Sequence, residues 1–161
     1  MSDVTLSVRG LESGFSMGGT TVMVVREVNL EVRRGEMLGI IGESGSGKTV
    51  TGMSILRLLP DNAVTNAESI NFLGTDLQGL SEEAFREIRG RRLAMVFQDP
   101  VGAFNPAKKI EWHIRGVFDR SATKSAQHAE RAKNWRPAAI QLLKDVGIPH
   151  GDRVLGQFPH Q

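Results

Sequence analysis

Gly42-Glu43-Ser44-Gly45-Ser46-Gly47-Lys48-Thr49 carries glycines, a lysine and a hydroxyl at the spacing of a phosphate-binding loop. The pattern is Gly, four free positions, then Gly-Lys-Ser/Thr, and every required position is filled. Glycines tolerate φ > 0, so successive backbone N–H groups can close around a polyphosphate as a concave nest. Lys48 has the reach to meet β- and γ-phosphates, and the Thr49 hydroxyl suits Mg²⁺. Glu43 and Ser44 matter through their backbone N–H groups more than through their side chains. A Gly/Ser-rich turn can match this pattern by chance, so the flanking elements have to decide.

Those elements agree with a phosphate site. Met37-Leu38-Gly39-Ile40-Ile41 is a short apolar run of the kind buried in a parallel sheet. Met53, Leu56 and Leu59 recur at helical spacing until Pro60-Asp61-Asn62 stops them. Strand, glycine loop and helix together point a helix N-terminus at phosphate. Upstream, residues 4–8 alternate as a strand, and residues 13–20 are rich in turn formers. Residues 21–25 are β-branched and apolar, and Val28, Leu30 and Val32 alternate with polar partners. Arg34-Gly35-Glu36 then turns the chain toward the loop strand.

Downstream, residues 69–73 followed by Gly74 read as a strand. Ser81 is a good N-cap, with Glu82 and Glu83 in the first turn, a Leu80/Phe85 staple, and Arg89-Gly90 as the stop. Residues 93–97 form a second apolar strand leading into Gln98-Asp99-Pro100. From Ile110 the pattern is helical, with Trp112, Val117 and Phe118 apolar and Ala126, Ala129 and Ala132 suited to close packing. Pro137 fits the first turn of a further helix that Gly147 closes.

The 161 residues suit an ordinary globular domain, with 40% hydrophobic and 24% charged residues. No apolar run reaches the length of a membrane-spanning helix, and Met1-Ser2-Asp3-Val4 does not read as a signal peptide. The absence of cysteine rules out disulfides, thiol catalysis and Cys-based zinc sites. His113, His128, His150 and His160 do not fall at metal-ligand spacings. The net charge of +2 is uneven, because residues 101–161 carry 10 basic and 5 acidic groups. Few aromatics accompany those cations, so a solvated helical face accounts for them better than a nucleic-acid surface.

Taken together, several segments resemble the ATP-binding subunits of ABC transporters, and among them the oligopeptide/dipeptide importers. GESGSGKT running on as VTGMSILRLLP, then IRGRRLAMVFQDP, AFNP, LLKDVGIP and GQFPHQ, stand in that family's order. The resemblance implies an α/β phosphate-loop NTPase fold of the ABC ATPase type, present in part. It would comprise an antiparallel β subdomain and loop core over residues 1–106 and the start of a helical subdomain over residues 107–161. It implies ATP and Mg²⁺ as ligands, with Gln98 beside the metal and the attacking water. It also implies an aromatic residue stacked on adenine, and Phe15 is the only aromatic before Gly42. Anchoring the loop to the core is an equally open role for Phe15. Lys108-Lys109-Ile110-Glu111-Trp112-His113 departs from the importer pattern near the expected contact with the membrane subunit. That departure weakens any inference about cargo, and a partly buried helix accounts for Trp112 and His113 better than the contact does.

The same resemblance carries expectations about partners and activity. The implied partners are transmembrane permease subunits, a second ATP-binding subunit and, indirectly, a substrate-binding protein, with no nucleic acid. The implied place is cytoplasmic, on the inner face of the membrane. The sequence reaches Gln161 where the family continues into its signature motif, acidic strand and switch histidine. On this reading the isolated chain binds ATP but turns it over little, so its standing as an enzyme is open. Strands flanking the loop strand are then expected to be lacking, which leaves an apolar sheet edge. A soluble ABC ATPase acting on DNA or the ribosome, and a non-catalytic nucleotide-binding fragment, are the competing readings. A phosphate-loop kinase leaves Phe97-Gln98-Asp99-Pro100 and the later helices without a role.

Overall fold

Two units, Met1–Met95 and Val96–Gln161, make up the computed structural model, which describes residues 3–99, 101–121 and 133–161. The first unit is built on a long hairpin of β1 (Val4–Met17) and β2 (Thr20–Arg33). Gly18 and Gly19 close it at φ 57° and 85°, where a side chain is disfavoured. Most of the stretch expected as a turn-rich loop is therefore strand. Gly14, Phe15 and Ser16 pair with Met23, Val22 and Thr21 on one side, and residues 12–15 pair with β3 (Ala63–Asn66) on the other. A strand flanked on both sides keeps its ladder even where local propensity favours a turn.

β4 (Ser69–Phe72) forms where the sequence pattern suggests a strand and pairs with β1, and β5 (Thr75–Asp76) extends the sheet in the order β2-β1-β4-β5. Every pairing in this sheet is antiparallel. The alternation of Val28, Leu30 and Val32 places these three half-buried and their polar neighbours exposed.

α1 (Lys48–Ile55) follows the glycine loop. Its end comes earlier than the Leu56/Leu59 spacing suggests, because Arg57 turns into the left-handed region at φ 51°. One core unites Val8, Leu11, Val25, Ile55, Ile70, Phe72, Leu77 and Phe85. Phe85 belongs to α2 (Glu82–Ile88), and its side chain is fully buried. The Ser81 hydroxyl accepts from Ala84 N–H at 3.2 Å, as an N-cap should. Replacing it by alanine is expected to cost about 1 kcal/mol of stability, measured by urea denaturation of the full chain. The guanidinium of Arg89 holds the Glu82 carboxyl below its usual range, mainly through their hydrogen bond. That contribution is present at neutral pH and is lost as acid protonates Glu82.

Two expected strands do not form. Residues 37–41 and 93–97 have no ladder, apart from an isolated bridge between Leu93 and Arg89. Met37 and Ile41 are 96% and 99% exposed, and Val96 is 91% exposed. A strand exists only through its hydrogen-bonded neighbour, and among the described residues none pairs along either run.

The second unit is helical, with α3 (Ile110–Ser121), α4 (Trp135–Asp145) and α5 (Gly151–Leu155) after a 3₁₀ turn at Val101–Ala103. Pro137 lies in the first turn of α4, and Gly147 follows its end at φ 84°. Arg136 donates to Glu111 and Asp152, each at 2.8 Å, and so ties α4 to α3 and α5. These carboxylates, Asp152 foremost, raise the pKa of Arg136 further. Pro100, Ala126, His128, Ala129 and Ala132 lie outside the described residues. Among the described residues no helix is long and apolar enough to cross a membrane.

Candidate phosphate site

The loop of residues 42–49 has the backbone its glycines predict. Gly45 and Gly47 sit at φ 81° and 90°, and Gly47 is the residue from which α1 starts. A Cβ on Gly47 would come within 3.2 Å of Val24 O and of Val25 Cγ2. Glycine is therefore required there twice, by its dihedral and by the hairpin packed behind it. Ser46 N–H donates to Glu43 O at 3.2 Å and tightens the loop.

The cation sits inside this arch. Lys48 Nζ donates to Gly42 O at 2.7 Å, to Glu43 O at 2.6 Å and to Ser46 Oγ at 3.3 Å. Three donors thus find three acceptors of the loop itself, which folds the ammonium against the backbone. The N-cap of α1 is Gly47, and among the described residues no side chain caps the helix and competes at its N-terminus. The first N–H groups of a helix have no intrahelical acceptor, and together with the dipole they suit an anion. Thr49, in the first turn, is exposed and free to meet a ligand. The donor set fits a polyphosphate with its counter-cation.

Two supporting residues escaped the sequence reading. Thr51 Oγ1 donates to Gly47 O at 2.9 Å, beside the helical bond from Thr51 N–H at 2.8 Å. This double tie anchors the residue on which the loop turns. Ser54 Oγ donates to Val50 O at 2.6 Å and shares a hydrogen bond of 2.7 Å with Ser13 Oγ. The buried face of α1 is thus partly hydroxylic. The available signal was the Gly47/Thr51 and Val50/Ser54 spacing, since Ser and Thr bond back to the carbonyl four residues earlier.

Phe15 stands half-buried on β1, opposite Val22 and Ala63. The same hairpin supports Gly47 through Val24 and Val25, and Val25 pairs with Ser13. Phe15 is therefore roughly 7 Å along β1 from the rung behind the loop. Gln98 belongs to the second unit, exposed at a bend. Trp112 is 55% exposed on α3, where Arg115, Val117 and Asp119 are exposed too and the residues between them half-buried. His113 donates Nε2–H to Asn105 O at 3.2 Å and meets the rings of Phe104 and Trp112 edge-on.

Comparison with known proteins adds the wider context. A family model described as ABC transporter matches residues 25–161. A probable peptide ABC transporter ATP-binding protein, y4tR of Sinorhizobium fredii, is 40% identical over 99% of this chain and 46% of its own length. The oligopeptide transport ATP-binding protein OppD of Bacillus subtilis is 37% identical over 97% of this chain and 42% of its own. The probable D,D-dipeptide transport ATP-binding protein DdpD of Escherichia coli is 36% identical, with 100% and 48% covered. The chain thus spans about half the length of these curated relatives. Among solved structures, a dimeric ATP-binding cassette, MJ0796, in a post-hydrolysis state with ADP and Pi, matches at TM-score 0.65. That likeness covers 97% of this chain and 62% of the other at 18% identity, and it shows the α/β phosphate-loop fold.

Proposed function

This chain belongs to the ABC transporter family, and from that premise we propose that it is the nucleotide-binding part of a peptide importer's ATP-binding subunit. The observation that carries the reading is the loop itself, with two left-handed glycines, a lysine folded beneath it and an uncapped helix start. The relatives named for oligopeptide and dipeptide transport support the cargo class.

In this reading the N–H groups of residues 43–49 hold the phosphates, and Lys48 contributes the charge. Thr49 and, as the family resemblance implies, Gln98 would hold Mg²⁺, which would neutralise phosphate charge. Phe15 offers adenine a ring face, for which stacking is worth about 1–3 kcal/mol. The partners are permease subunits and a second ATP-binding subunit at the inner face of the membrane. The alternative directed at DNA or ribosomes draws no support from the relatives.

Thr49→Ala is expected to weaken Mg-ATP binding about tenfold and to leave Mg-free ATP binding nearly unchanged, by paired calorimetric titrations. Equal losses with and without magnesium would remove the metal role. Co-expression with a two-component peptide permease tests the wider reading. Retention in permease-containing membranes is expected, whereas partition with ribosomes or DNA would overturn it.

A further inference from the structure

The end of α1 opposite the phosphate loop is gripped by two arginines. Arg57 follows the last turn with a left-handed backbone, and N–H bonds from Arg57 to Ser54 O and from Leu58 to Met53 O close the helix as a Schellman motif. Glycine is the usual residue at that position, so an arginine with φ 51° is held there by what its side chain does. Its guanidinium donates to the carbonyls of Leu77 at 2.5 Å, Leu80 at 2.9 Å and Gln78 at 3.2 Å.

Arg89, the residue that caps the end of α2, completes the grip. Its Nη1 donates to Leu56 O and Arg57 O, both at 3.1 Å, and its Nη2 donates to Glu82 at 2.6 Å. The cation thus meets carbonyls left without acceptor duty at the helix end, where the dipole favours positive charge. Both guanidinium groups lie over the Phe85 ring, with its centroid 4.5 Å from Arg57 Cζ and 5.4 Å from Arg89 Cζ. Residue 57 is held in both directions, because its side chain grips the 77–80 turn while Arg89 grips its carbonyl.

We propose that Arg57 and Arg89 are positioning residues for nucleotide binding, clasping the far end of α1 so that its first N–H groups aim at the phosphates. The inference rests on the nucleotide-binding reading above. α1 spans only eight residues, about 12 Å, and a helix that short moves as a rod. Fixing one end aims the other. The clasp also joins the phosphate loop to α2, which leads directly into the segment ending at Gln98. Linkage requires reciprocity, so a clasp that changes nucleotide affinity must itself respond to nucleotide.

The test is a titration of the ¹⁵N-labelled full chain with Mg-ATP, following the Nε–H signals of Arg57 and Arg89 and the loop amides together. Both guanidinium signals are expected to shift and to saturate with the loop. Arg89→Gln is expected to weaken Mg-ATP binding roughly fivefold in calorimetry. Loop amides that titrate while both guanidinium signals stay still would overturn the clasp and leave nucleotide binding intact. An Arg89→Gln chain that folds and binds with unchanged affinity would do the same. If that variant does not fold, the titration of the unsubstituted chain decides alone. Failure of the loop amides themselves to respond would bring down the nucleotide reading, and the clasp with it.

Discussion

Lys48→Ala is expected to reduce Mg-ATP affinity about a thousandfold and to leave the fold nearly untouched. Among the described residues the ammonium bonds only to Gly42 O, Glu43 O and Ser46 Oγ, within the loop it serves. None of these bonds reaches the core of Val8, Leu11, Ile70 and Phe85, so its removal opens no cavity there. The loss falls on the ligand. A unit charge about 4 Å from a phosphate oxygen is worth about 4 kcal/mol at an effective dielectric of 20, which is about three decades in affinity. Calorimetry with Mg-ATP reads the loss, and the thermal midpoint reads the fold. Affinity that survived the substitution would remove the electrostatic basis of the site.

Phe85→Ala has the largest expected effect on stability, a loss of about 3–5 kcal/mol from the emptied volume. The ring is fully buried and touches both the apolar core and two guanidinium groups. Each cation–π contact adds about 0.5–2 kcal/mol. Stabilities of ordinary domains are about 5–15 kcal/mol, so one side chain here supports a large share. Urea denaturation of the full chain measures the loss, and Phe85→Leu, which keeps much of the volume, is expected to recover part of it. A cost below about 1 kcal/mol would mean that the clasp and core do not depend on this ring.

The candidate site was legible because its chemistry is local. Residues 42–49 bring together, without help from distant chain, the glycines, the lysine and the hydroxyl that a phosphate needs. Ser81 with Ala84, and Gly147 after α4, are legible for the same reason, since a cap is made within one turn. The support behind the loop was less so. Gly47 leans on Val24 and Val25, and Ser54 leans on Ser13, through contacts that no spacing along the chain encodes.

By itself the sequence determined which loop could hold phosphate, where α2 is capped, and that residues 28–32 alternate in exposure. Each follows from dihedral preference, hydrogen-bonding groups and period within a few residues. Only the tertiary structure decided that residues 13–17 are strand, that β3 joins β1, and that the apolar runs 37–41 and 93–97 carry no ladder. The physical reason is that a strand's hydrogen bonds are made with another segment, so hydrophobicity proposes a strand and a neighbour makes it one.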